Sequence, residues 1–521
     1  MSKFQRRVCA LAVGALFACC GSSLRSQEQQ PHPGGPHPAE PQKQEPVPPE
    51  RSSVTQHVIT VNGQTLHYTA TAGTLLIRDG EDDHPYGSIF YVAYTLDGSD
   101  PNTRPVTFLY NGGPGSSTIW LHMGSVGPVR VVTDSPEATG PAPYQVVPNQ
   151  YTLLDKTDLV FIDAPLTGFS RAVGKATPKD FNGVDQDLKA FDKFILRWVT
   201  VNQRWNSPKY LFGESYGTTR SAGLSDALQN SGISLNGVIL LSSILNYNIM
   251  VPGIDESYIG YLPSYAAIAW YHNKLANKPP DVKAYIEQVR EFARGEYAEA
   301  LAQGDMLPPA QFDAIAQKVA AFTGLSVQYV KDANLRVNAS EFRKQLLHDQ
   351  GEILGRYDAR FEGTDASNVG EFPGYDPSDT GIAGVFTAAF HDYLSRELKY
   401  ESDEPYRVSS ESIGQWDWDH HAPGMAFGFG RAQKMPDVAL DLADAMRKDP
   451  KMKVFSANGM FDLATPFFLT EFDINHMMLA PQIAKNVQFG YYPAGHMVYL
   501  NVDALKMLVH DLDGFYAQTQ H

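Results

Sequence analysis

Residues 213–217 carry the pattern most suggestive of chemistry, because Gly213-Glu214-Ser215-Tyr216-Gly217 is a G-x-S-x-G motif. The apolar run 209–212 before it predicts a buried strand, and residues 218–229 after it have a helix-compatible composition. A tight turn between a strand and a helix needs small flanking residues, and it holds a serine hydroxyl at the tip of a sheet. Glycine and serine are common in loops, so the motif gains its weight from this context. It predicts Ser215 as a nucleophile.

A serine hydroxyl is a poor nucleophile near neutral pH, so it needs a base and a third group that orients the base. Two strand-like runs near the carboxyl end, residues 452–456 and 487–492, are followed by Asp462 and His496 respectively. The chain order serine, acid, histidine is that of α/β-hydrolases, and parallel sheets gather site residues at the carboxyl ends of their strands. The sequence therefore predicts a catalytic triad of Ser215, Asp462 and His496.

Other roles are open for these and other polar residues. Asp462 could cap a turn, His496 could be a structural histidine, and Asp473 is a nearby competitor within a helix-like run. His420 and His421 could suggest a metal site, but we favour a polar loop because no further ligand set accompanies them. The sequence predicts no metal and no cofactor.

A glycine-rich segment follows the strand-like run 105–110 and reads Asn111-Gly112-Gly113-Pro114-Gly115-Ser116-Ser117. Its backbone N–H groups could approach a substrate oxygen and form an oxyanion hole. A phosphate-binding loop is a weaker interpretation because the Gly-Lys-Ser/Thr ending is missing, and a plain turn is the simplest alternative. The density of glycine after a strand favours the oxyanion hole.

The fold follows from short apolar runs that alternate with helix-like segments such as residues 184–199. This alternation predicts an α/β fold with a mostly parallel central sheet flanked by helices. Antiparallel strands should open the domain, with Asn62-Gly63 as a hairpin turn. The runs interpreted as further strands are residues 89–94, 105–110, 158–163, 210–212, 237–241, 452–456 and 487–492.

Residues 247–434 break this rhythm with a mainly helical pattern. Within them, residues 281–303 predict one long helix, and Asn338 followed by Glu341 has the spacing of a capping box at a helix start. We interpret the segment as a cap insertion that covers the strand ends and shapes the substrate pocket. The two parts of the hydrolase core are then residues 51–246 and 435–521.

Composition limits the class of protein and its partners. The chain has 521 residues, of which 43% are hydrophobic and 19% charged, so a large core can form and global disorder is excluded. The formal net charge is −16 at pH 7, and no basic stripe with interleaved aromatic residues is evident. Such a charge argues against nucleic acid as a partner. The oligomeric state stays open.

The amino-terminal segment has the features of an export signal. Lys3, Arg6 and Arg7 precede an apolar stretch at residues 8–17, which is too short for a convincing membrane span. We interpret residues 1–20 as a signal peptide. The protein is therefore expected to be exported to the periplasm or the extracellular space.

Two further features concern the exported form. Residues 16–19 resemble a bacterial lipobox, which would place a lipid anchor on Cys19, and free secretion is the alternative. Residues 21–50 are rich in Pro and Gln and are interpreted as a disordered linker. The three cysteines, Cys9, Cys19 and Cys20, all lie in the leader segment, so the folded domain is expected to lack disulfides.

Four separate blocks together resemble the serine carboxypeptidase family (peptidase S10), over roughly residues 105–245 and 452–501. The resemblance implies an α/β-hydrolase that removes C-terminal residues from peptide substrates through an acyl-enzyme, here as an exported bacterial member. The blocks are Asn111-Gly112-Gly113-Pro114-Gly115-Ser116-Ser117, Phe161-Ile162-Asp163-Ala164-Pro165 with Gly168-Phe169-Ser170, Gly213-Glu214-Ser215-Tyr216-Gly217 and Ala494-Gly495-His496-Met497.

The resemblance also implies roles for single residues. Ser215 corresponds to the nucleophile, His496 to the general base and then acid, and Asp462 to the orienting carboxylate. The backbone amides of Gly113 and Tyr216 correspond to the oxyanion hole.

A further set corresponds to the site for the substrate's terminal carboxylate, formed by Asn111, the amide of Gly112, and Glu214. Glu214 would act as a protonated acid, since two carboxylates in contact cannot both ionise cheaply.

The chain departs from the family pattern at several positions, which include Thr218-Thr219 after the serine motif. Leu109 stands in place of a usual tryptophan, and Ser116 in place of a cysteine, which removes a family disulfide. Ser125 stands where the family often has a glutamate that shares a proton with the counterpart of Glu214. Because of these differences, two family properties stay open for this chain: the preference for acidic pH and the strict selection of substrates with a free terminal carboxylate. An esterase or acyltransferase on the same scaffold, and a catalytically inactive surface binding protein, are the alternative functions.

Overall fold

The computed structural model describes residues 47–251, 253–424 and 432–519. The predicted signal peptide at 1–20, the candidate lipid anchor at Cys19 and most of the predicted linker lie outside the described residues. Among the described residues, no helix combines the length and the apolar character that crossing a membrane requires.

Short apolar runs form the strands, as their composition predicts. The strands in the described residues are β1 (Ser52–Val61), β2 (Gln64–Asp79), β3 (His84–Leu96), β4 (Val106–Tyr110), β5 (Val129–Val131), β6 (Val146–Pro148), β7 (Asp158–Ile162), β8 (Arg171–Ala172), β9 (Lys209–Glu214), β10 (Gly237–Leu241), β11 (Glu352–Leu354), β12 (Glu362–Thr364), β13 (Lys453–Gly459) and β14 (Val487–Tyr492).

Helices lie between most of these strands and fill the region between β10 and β13. They are α1 (Ile119–Gly124), α2 (Val184–Val201), α3 (Tyr216–Asn230), α4 (Glu256–Tyr271), α5 (Val282–Phe292), α6 (Ala298–Gln303), α7 (Pro309–Thr323), α8 (Val327–Asp332), α9 (Ala339–Gln345), α10 (Pro377–Arg396), α11 (Ala439–Lys448), α12 (Phe467–Asn475), α13 (Pro481–Ala484) and α14 (Val502–Thr519).

One sheet of ten strands forms the centre of the fold. Nine strands follow the order β1-β2-β3-β7-β4-β9-β10-β13-β14, and β8 pairs with β3. The six strands from β7 to β14 are mutually parallel, whereas β1, β2 and β3 pair antiparallel and β3 joins β7 antiparallel. This topology confirms the predicted α/β-hydrolase class, with a mostly parallel sheet flanked by helices.

Strand β9 shows why the central strands are apolar along their whole length. Tyr210 and Phe212 pack in a core cluster with residues of α14, and Leu211 packs in a second cluster with residues of α2 and α3. Successive side chains of a strand point to opposite faces of the sheet. Because helices cover both faces, both sets must be apolar.

The predicted hairpin between β1 and β2 is confirmed. Asn62 and Gly63 form the two-residue turn with φ of 51° and 79°, and Val61 pairs with Gln64 across it. Positive φ at both central positions is the requirement that favours Asn-Gly in such turns.

The region between β10 and β13 is mainly helical, as predicted, and has its own apolar cluster. The capping box is confirmed, since Asn338 accepts from the Glu341 amide at 3.1 Å and Glu341 accepts from the Asn338 amide at 2.8 Å. The single long helix predicted at 281–303 is wrong. A π-helical turn at Ala293–Tyr297 separates α5 from α6, and Gly295 within it has φ of −103° and ψ of −106°. Glycine tolerates this non-helical conformation, so the chain bends there.

Candidate active site

Ser215 lies at the sharp turn between β9 and α3. Its φ of 60° and ψ of −130° are strained for a residue with a side chain, and its N–H donates to Leu241 O at 3.0 Å. A Cβ at Gly213 would lie 2.0 Å from Gly217 O, and one at Gly217 would lie 2.8 Å from a carbonyl of β4. The turn therefore requires both glycines, and it leaves Ser215 partly exposed between buried neighbours.

Asp462 and His496 are in direct contact. His496 Nδ1 lies 2.7 Å from Asp462 Oδ2, and both side chains are buried. Asp462 Oδ1 accepts from the amides of Ala464 at 2.7 Å and Thr465 at 3.0 Å, and Thr465 Oγ1 donates to Oδ2 at 2.7 Å. The carboxylate is thus held by three donors besides the imidazole, in the loop after β13.

The charge state of His496 follows from these neighbours. Burial disfavours the imidazolium, but the carboxylate of Asp462 and, to a smaller extent, that of Glu214 raise the pKa of His496 above its ordinary value. The alternative acid, Asp473, lies in α12 with its pKa raised by burial and by Asp437. The structure brings His496 to Asp462 and not to Asp473.

Ser215 lies at the same edge of the sheet as this pair. Strands β9, β13 and β14 are parallel, and Ser215, Asp462 and His496 follow their respective carboxyl ends. Strand β10 connects them, because Leu241 O accepts from the Ser215 amide and the next residue, Ser242, donates its hydroxyl to His496 O at 2.6 Å. In the described residues no hydrogen bond joins Ser215 to His496. Catalytic hydrogen bonds of this kind often tighten only when substrate binds.

The glycine-rich loop after β4 packs directly on the serine turn. A Cβ at Gly112 would lie 2.3 Å from Tyr216 N and 2.5 Å from Gly217 N, so only glycine allows this approach. Among the hydrogen bonds of the described residues, none uses the N–H of Gly113 or of Tyr216 as donor. Two free backbone donors beside Ser215 are what an oxyanion hole requires.

A buried arginine holds this loop in place. Arg220 on α3 donates to Asn111 O at 2.7 Å and forms a two-contact ion pair with Asp187 of α2, at 2.7 and 3.1 Å. The Asn111 side chain accepts from the Leu121 amide at 2.9 Å. Arg220 was not predicted from the sequence. The available signal was a charged residue one helical turn after the serine motif, on a helix face that is otherwise buried.

Glu214 is buried behind Ser215. Burial raises the pKa of its carboxyl to about 7, against lowering contributions from His496, Tyr499 and Asn111. One Glu214 oxygen, Oε2, and the Tyr499 hydroxyl are buried without a hydrogen-bond partner that meets normal geometry in the described residues. The neutral acid is therefore accessible near neutral pH.

Ser125 does not act as a hydrogen-bond partner of Glu214 in the described residues. The Ser125 hydroxyl donates to the backbone oxygen of Leu121 in its own helix. Tyr499 packs instead over the preceding residue, and a Cβ at Gly124 would lie 2.5 Å from the Tyr499 ring. Tyr499 follows the His496 motif closely in sequence but carried no recognised signal, and the structure places it beside Glu214.

A loop of the insertion, residues 356–360, contacts the loops that carry Asp462 and His496. Tyr357 O accepts from the His496 amide at 2.6 Å, and the Tyr357 ring lies 5.2 Å from the imidazole. Ala359 N donates to Phe461 O at 3.0 Å, and Arg360 donates to Pro493 O at 3.0 Å. No sequence motif marks this loop. The only signal was Gly495, where a Cβ would lie 2.4 Å from Asp358 Cβ.

His420 and His421 contact carboxylates of two helices, α2 and α11. His420 contacts Asp185 at 2.6 Å and Asp441 at 3.0 Å, and His421 contacts Asp185 at 2.6 Å. Burial alone would lower the pKa of His420, but the two carboxylates raise it to about 9. Near neutral pH His420 is therefore a cation, which is a poor metal ligand.

The same segment contributes aromatic side chains to the site. The rings of Trp416 and Trp418 lie 5.4 Å and 6.3 Å from the ring of Tyr216, and Trp418 also packs on Tyr247 at 4.9 Å. The residue after Ser215 is therefore part of an aromatic cluster formed with the insertion.

The chain is similar in sequence to known proteins. The family model described as serine carboxypeptidase matches residues 64–344, just over half of the chain. Serine carboxypeptidase-like 33 of Arabidopsis thaliana is 26% identical over 35% of this chain and 38% of its own length. Pheromone-processing carboxypeptidase KEX1 of Saccharomyces cerevisiae is 32% identical over 25% of this chain and 17% of its own length. The chain thus spans well under half the length of these curated relatives.

Solved structures with low sequence identity align over most of the chain. A proline iminopeptidase of Mycobacterium smegmatis is 14% identical, with 86% of this chain and 98% of that chain covered at a TM-score of 0.36. A carboxyl esterase from Bacillus coagulans is 10% identical, with 87% and 99% covered at a TM-score of 0.35.

Proposed function

Because the chain belongs to the serine carboxypeptidase family, we propose that this hydrolase removes C-terminal residues from peptides through an acyl-enzyme formed on Ser215. The observation that carries the proposal is the buried contact of 2.7 Å between His496 Nδ1 and Asp462 Oδ2 at the sheet edge that also presents Ser215. A base oriented by a carboxylate beside a strained serine is the arrangement of serine acyl transfer.

The first half of the reaction forms the acyl-enzyme. Ser215 Oγ attacks the carbonyl carbon of the last peptide bond and gives its proton to His496 Nε2, while Asp462 accepts from Nδ1–H and stabilises the imidazolium. The amides of Gly113 and Tyr216 donate to the oxyanion of the tetrahedral intermediate. His496 then returns the proton to the leaving amine, the C–N bond breaks, and the C-terminal residue departs.

The second half repeats these steps with water. His496 removes a proton from a water molecule, which attacks the acyl carbon, and the protonated imidazole then gives the proton back to Ser215 Oγ as the ester bond breaks. The shortened peptide leaves with a new carboxylate.

Selection of the terminal carboxylate is proposed for Asn111, the amide of Gly112, and Glu214. A carboxylic acid with a pKa near 7 in a buried site is partly neutral at neutral pH, so it can donate a hydrogen bond to a substrate carboxylate. The Asn111 side chain lies close enough to Glu214 to influence its pKa, so the two groups can face one substrate carboxylate.

An esterase or acyltransferase is the second candidate, and one observation favours it. Ser125 offers no second carboxyl group to share a proton with Glu214, and its hydroxyl donates to Leu121 O instead. Selection of a free carboxylate would then be weaker, and ester substrates would compete with peptide acids.

The test compares a blocked dipeptide ending in leucine as its free acid, its amide and its methyl ester. Release of leucine, leucine amide or methanol is followed over time with the wild type and with Ser215→Ala. The proposal expects a higher kcat/KM for the acid than for the amide, and no release with Ser215→Ala. Equal rates for acid and amide with a much faster ester would support the second candidate.

A further inference from the structure

Arg356, in the loop between β11 and β12, has a guanidinium group without an ionic partner. Among the described residues it forms no salt bridge, whereas the neighbouring Arg360 and Arg343 pair with Asp358 at 2.6 Å and Asp376 at 3.8 Å. The Arg356 side chain is partly buried, and its Cζ atom lies 5.4 Å from the centre of the Tyr357 ring.

The carboxylates around Arg356 are already engaged. Asp376 Oδ1 accepts from the Arg356 backbone amide at 2.9 Å and from both polar groups of Ser378, at 3.0 and 2.6 Å. Asp358 receives the guanidinium of Arg360 on both oxygens. Asp462 is saturated by the imidazole of His496 and the donors of its own loop. Burial alone would lower the pKa of Arg356, but nearby groups that include Asp376 and Asp462 raise it. No carboxylate of the described residues forms a salt bridge with the Arg356 guanidinium.

An arginine in this state favours an anionic ligand. Its guanidinium stays charged at all relevant pH values, and removing a charge from water without a partner costs free energy. A carboxylate can recover that cost through two parallel N–H···O bonds, which are stronger than neutral hydrogen bonds.

Arg356 lies on the leaving-group side of the site. Its backbone oxygen accepts from the Leu463 amide at 3.0 Å, directly after Asp462, and the next residue, Tyr357, packs on the His496 ring at 5.2 Å. In acyl transfer the leaving amine takes its proton from the imidazole, so the departing residue must lie against His496. The loop that carries Arg356 lies beside His496 and therefore beside the position of the departing residue.

We propose that Arg356 binds the side-chain carboxylate of a C-terminal aspartate or glutamate, so that peptides ending in an acidic residue are a preferred substrate class. This inference rests on the proposed carboxypeptidase function. The α-carboxylate of the same residue is assigned to Asn111, Gly112 and Glu214, at the opposite loop of the site. Two separate anion sites of the protein would then bind one leaving residue, one through its free terminus and the other through its acidic side chain.

The experiment uses three blocked dipeptide acids that differ only in the last residue: glutamate, glutamine and leucine. The wild type should hydrolyse the glutamate peptide with a kcat/KM about 10 to 100 times that of the isosteric glutamine peptide, the range expected for hydrogen bonds to a charged group. Arg356→Met should reduce kcat/KM for the glutamate peptide to the value for the glutamine peptide. It should leave kcat/KM for the leucine peptide unchanged within about twofold. Arg356→Lys should retain part of the preference because it keeps the charge.

The matched control is Arg294→Met, which removes the same charge from an exposed position of the insertion and should leave all three substrates unchanged. Thermal unfolding of each variant separates a folding defect from a binding defect. The substrate comparison is made with Arg356→Met that remains folded at the assay temperature.

Two results would overturn the assignment of Arg356. One is a wild-type enzyme that releases leucine efficiently but does not distinguish glutamate from glutamine. The other is an equal loss of kcat/KM for all three peptides in folded Arg356→Met. That result would mean that the arginine binds the terminal carboxylate or stabilises the loops that carry Asp462 and His496. If no peptide acid releases its last residue in a Ser215-dependent reaction, the proposed function fails as well.

Discussion

The Nδ1 atom of His496 lies 2.7 Å from Oδ2 of Asp462, and Thr465 Oγ1 donates to the same carboxylate oxygen at 2.7 Å. The Asp462 oxygens accept hydrogen bonds from the surrounding donors. The contact with His496 therefore assigns the proton of the neutral imidazole to Nδ1. Nε2 is then left as the base. The contact thus decides both the tautomer and the orientation of the group proposed to activate Ser215.

Replacing Asp462 with asparagine should lower kcat by about 10⁴-fold, because the amide group would favour the wrong imidazole tautomer while the fold is retained. The measurement is kcat on an ester substrate together with the temperature of unfolding. Asp473→Asn is the matched control, since the Asp473 carboxyl is buried with its pKa raised and is not in contact with His496. An active Asp462→Asn with an inactive Asp473→Asn would reverse the assignment of the acid.

Glu214→Gln should remove a pH dependence of KM. The folded-state pKa of Glu214 is raised to about 7, so its neutral, donating form is lost as the pH rises through that value. KM for a peptide acid should therefore increase above pH 7, approaching tenfold per pH unit, while KM for the corresponding ester stays flat. In Glu214→Gln both should be flat. An unchanged rise in the variant would show that another group controls carboxylate binding.

The same substitution should also change the acidic limb of kcat/KM on esters. Glu214 is one of the carboxylates that raise the pKa of His496, so removing its charge should shift the limb to lower pH. A shift to higher pH would contradict the proximity of the two groups.

Gly112→Ala should reduce activity and stability together. Its Cβ would lie 2.3 Å from Tyr216 N, so the glycine loop or the serine turn must move, at a cost of about 1–3 kcal/mol or more. The control is Gly414→Ala, where a Cβ meets nothing within 4 Å. Denaturant unfolding and ester turnover measure the two effects. Wild-type stability and turnover in Gly112→Ala would contradict the close contact between the glycine-rich loop and the serine turn.

His420→Gln should destabilise the protein in a pH-dependent way. The folded-state pKa of about 9 lies above the ordinary histidine pKa of about 6.5, so the ion pairs of His420 contribute fully below about pH 6.5 and are lost as the pH rises through 9. The variant should lose on the order of 2 to 3 kcal/mol at pH 6 and much less at pH 9.5. His421→Gln, at a largely exposed position on the same carboxylate, is the control and should change stability little. A constant difference across this pH range would contradict the proposed charge state of His420.

The central strands were predictable because each is an uninterrupted apolar run. Residues 237–241 and 487–492 became β10 and β14 with the predicted bounds. The order of Ser215, Asp462 and His496 was equally informative, since parallel strands bring their carboxyl ends to one edge of the sheet. The contact between Asp462 and His496 follows from β13 and β14 being neighbours.

The remaining parts of the site depend on contacts that no local pattern encodes. Tyr357 reaches His496 across more than a hundred residues of insertion and helix, and Arg220 fixes the glycine loop through an ion pair with Asp187. Gly295 breaks a segment whose apolar spacing predicted a continuous helix. Each of these depends on tertiary packing, which sequence periodicity does not describe.

Covalent labelling with an organophosphonate tests whether Ser215 is activated, because this reagent reacts with a serine only when an adjacent base activates it. Peptide mapping by mass spectrometry should find one adduct per chain, on the peptide that contains Ser215. The adduct should be absent from Ser215→Ala and strongly reduced in folded His496→Ala. A folded wild-type protein that stays unlabelled, or that carries the adduct on another serine, would contradict the assignment of Ser215 and His496 as the catalytic pair.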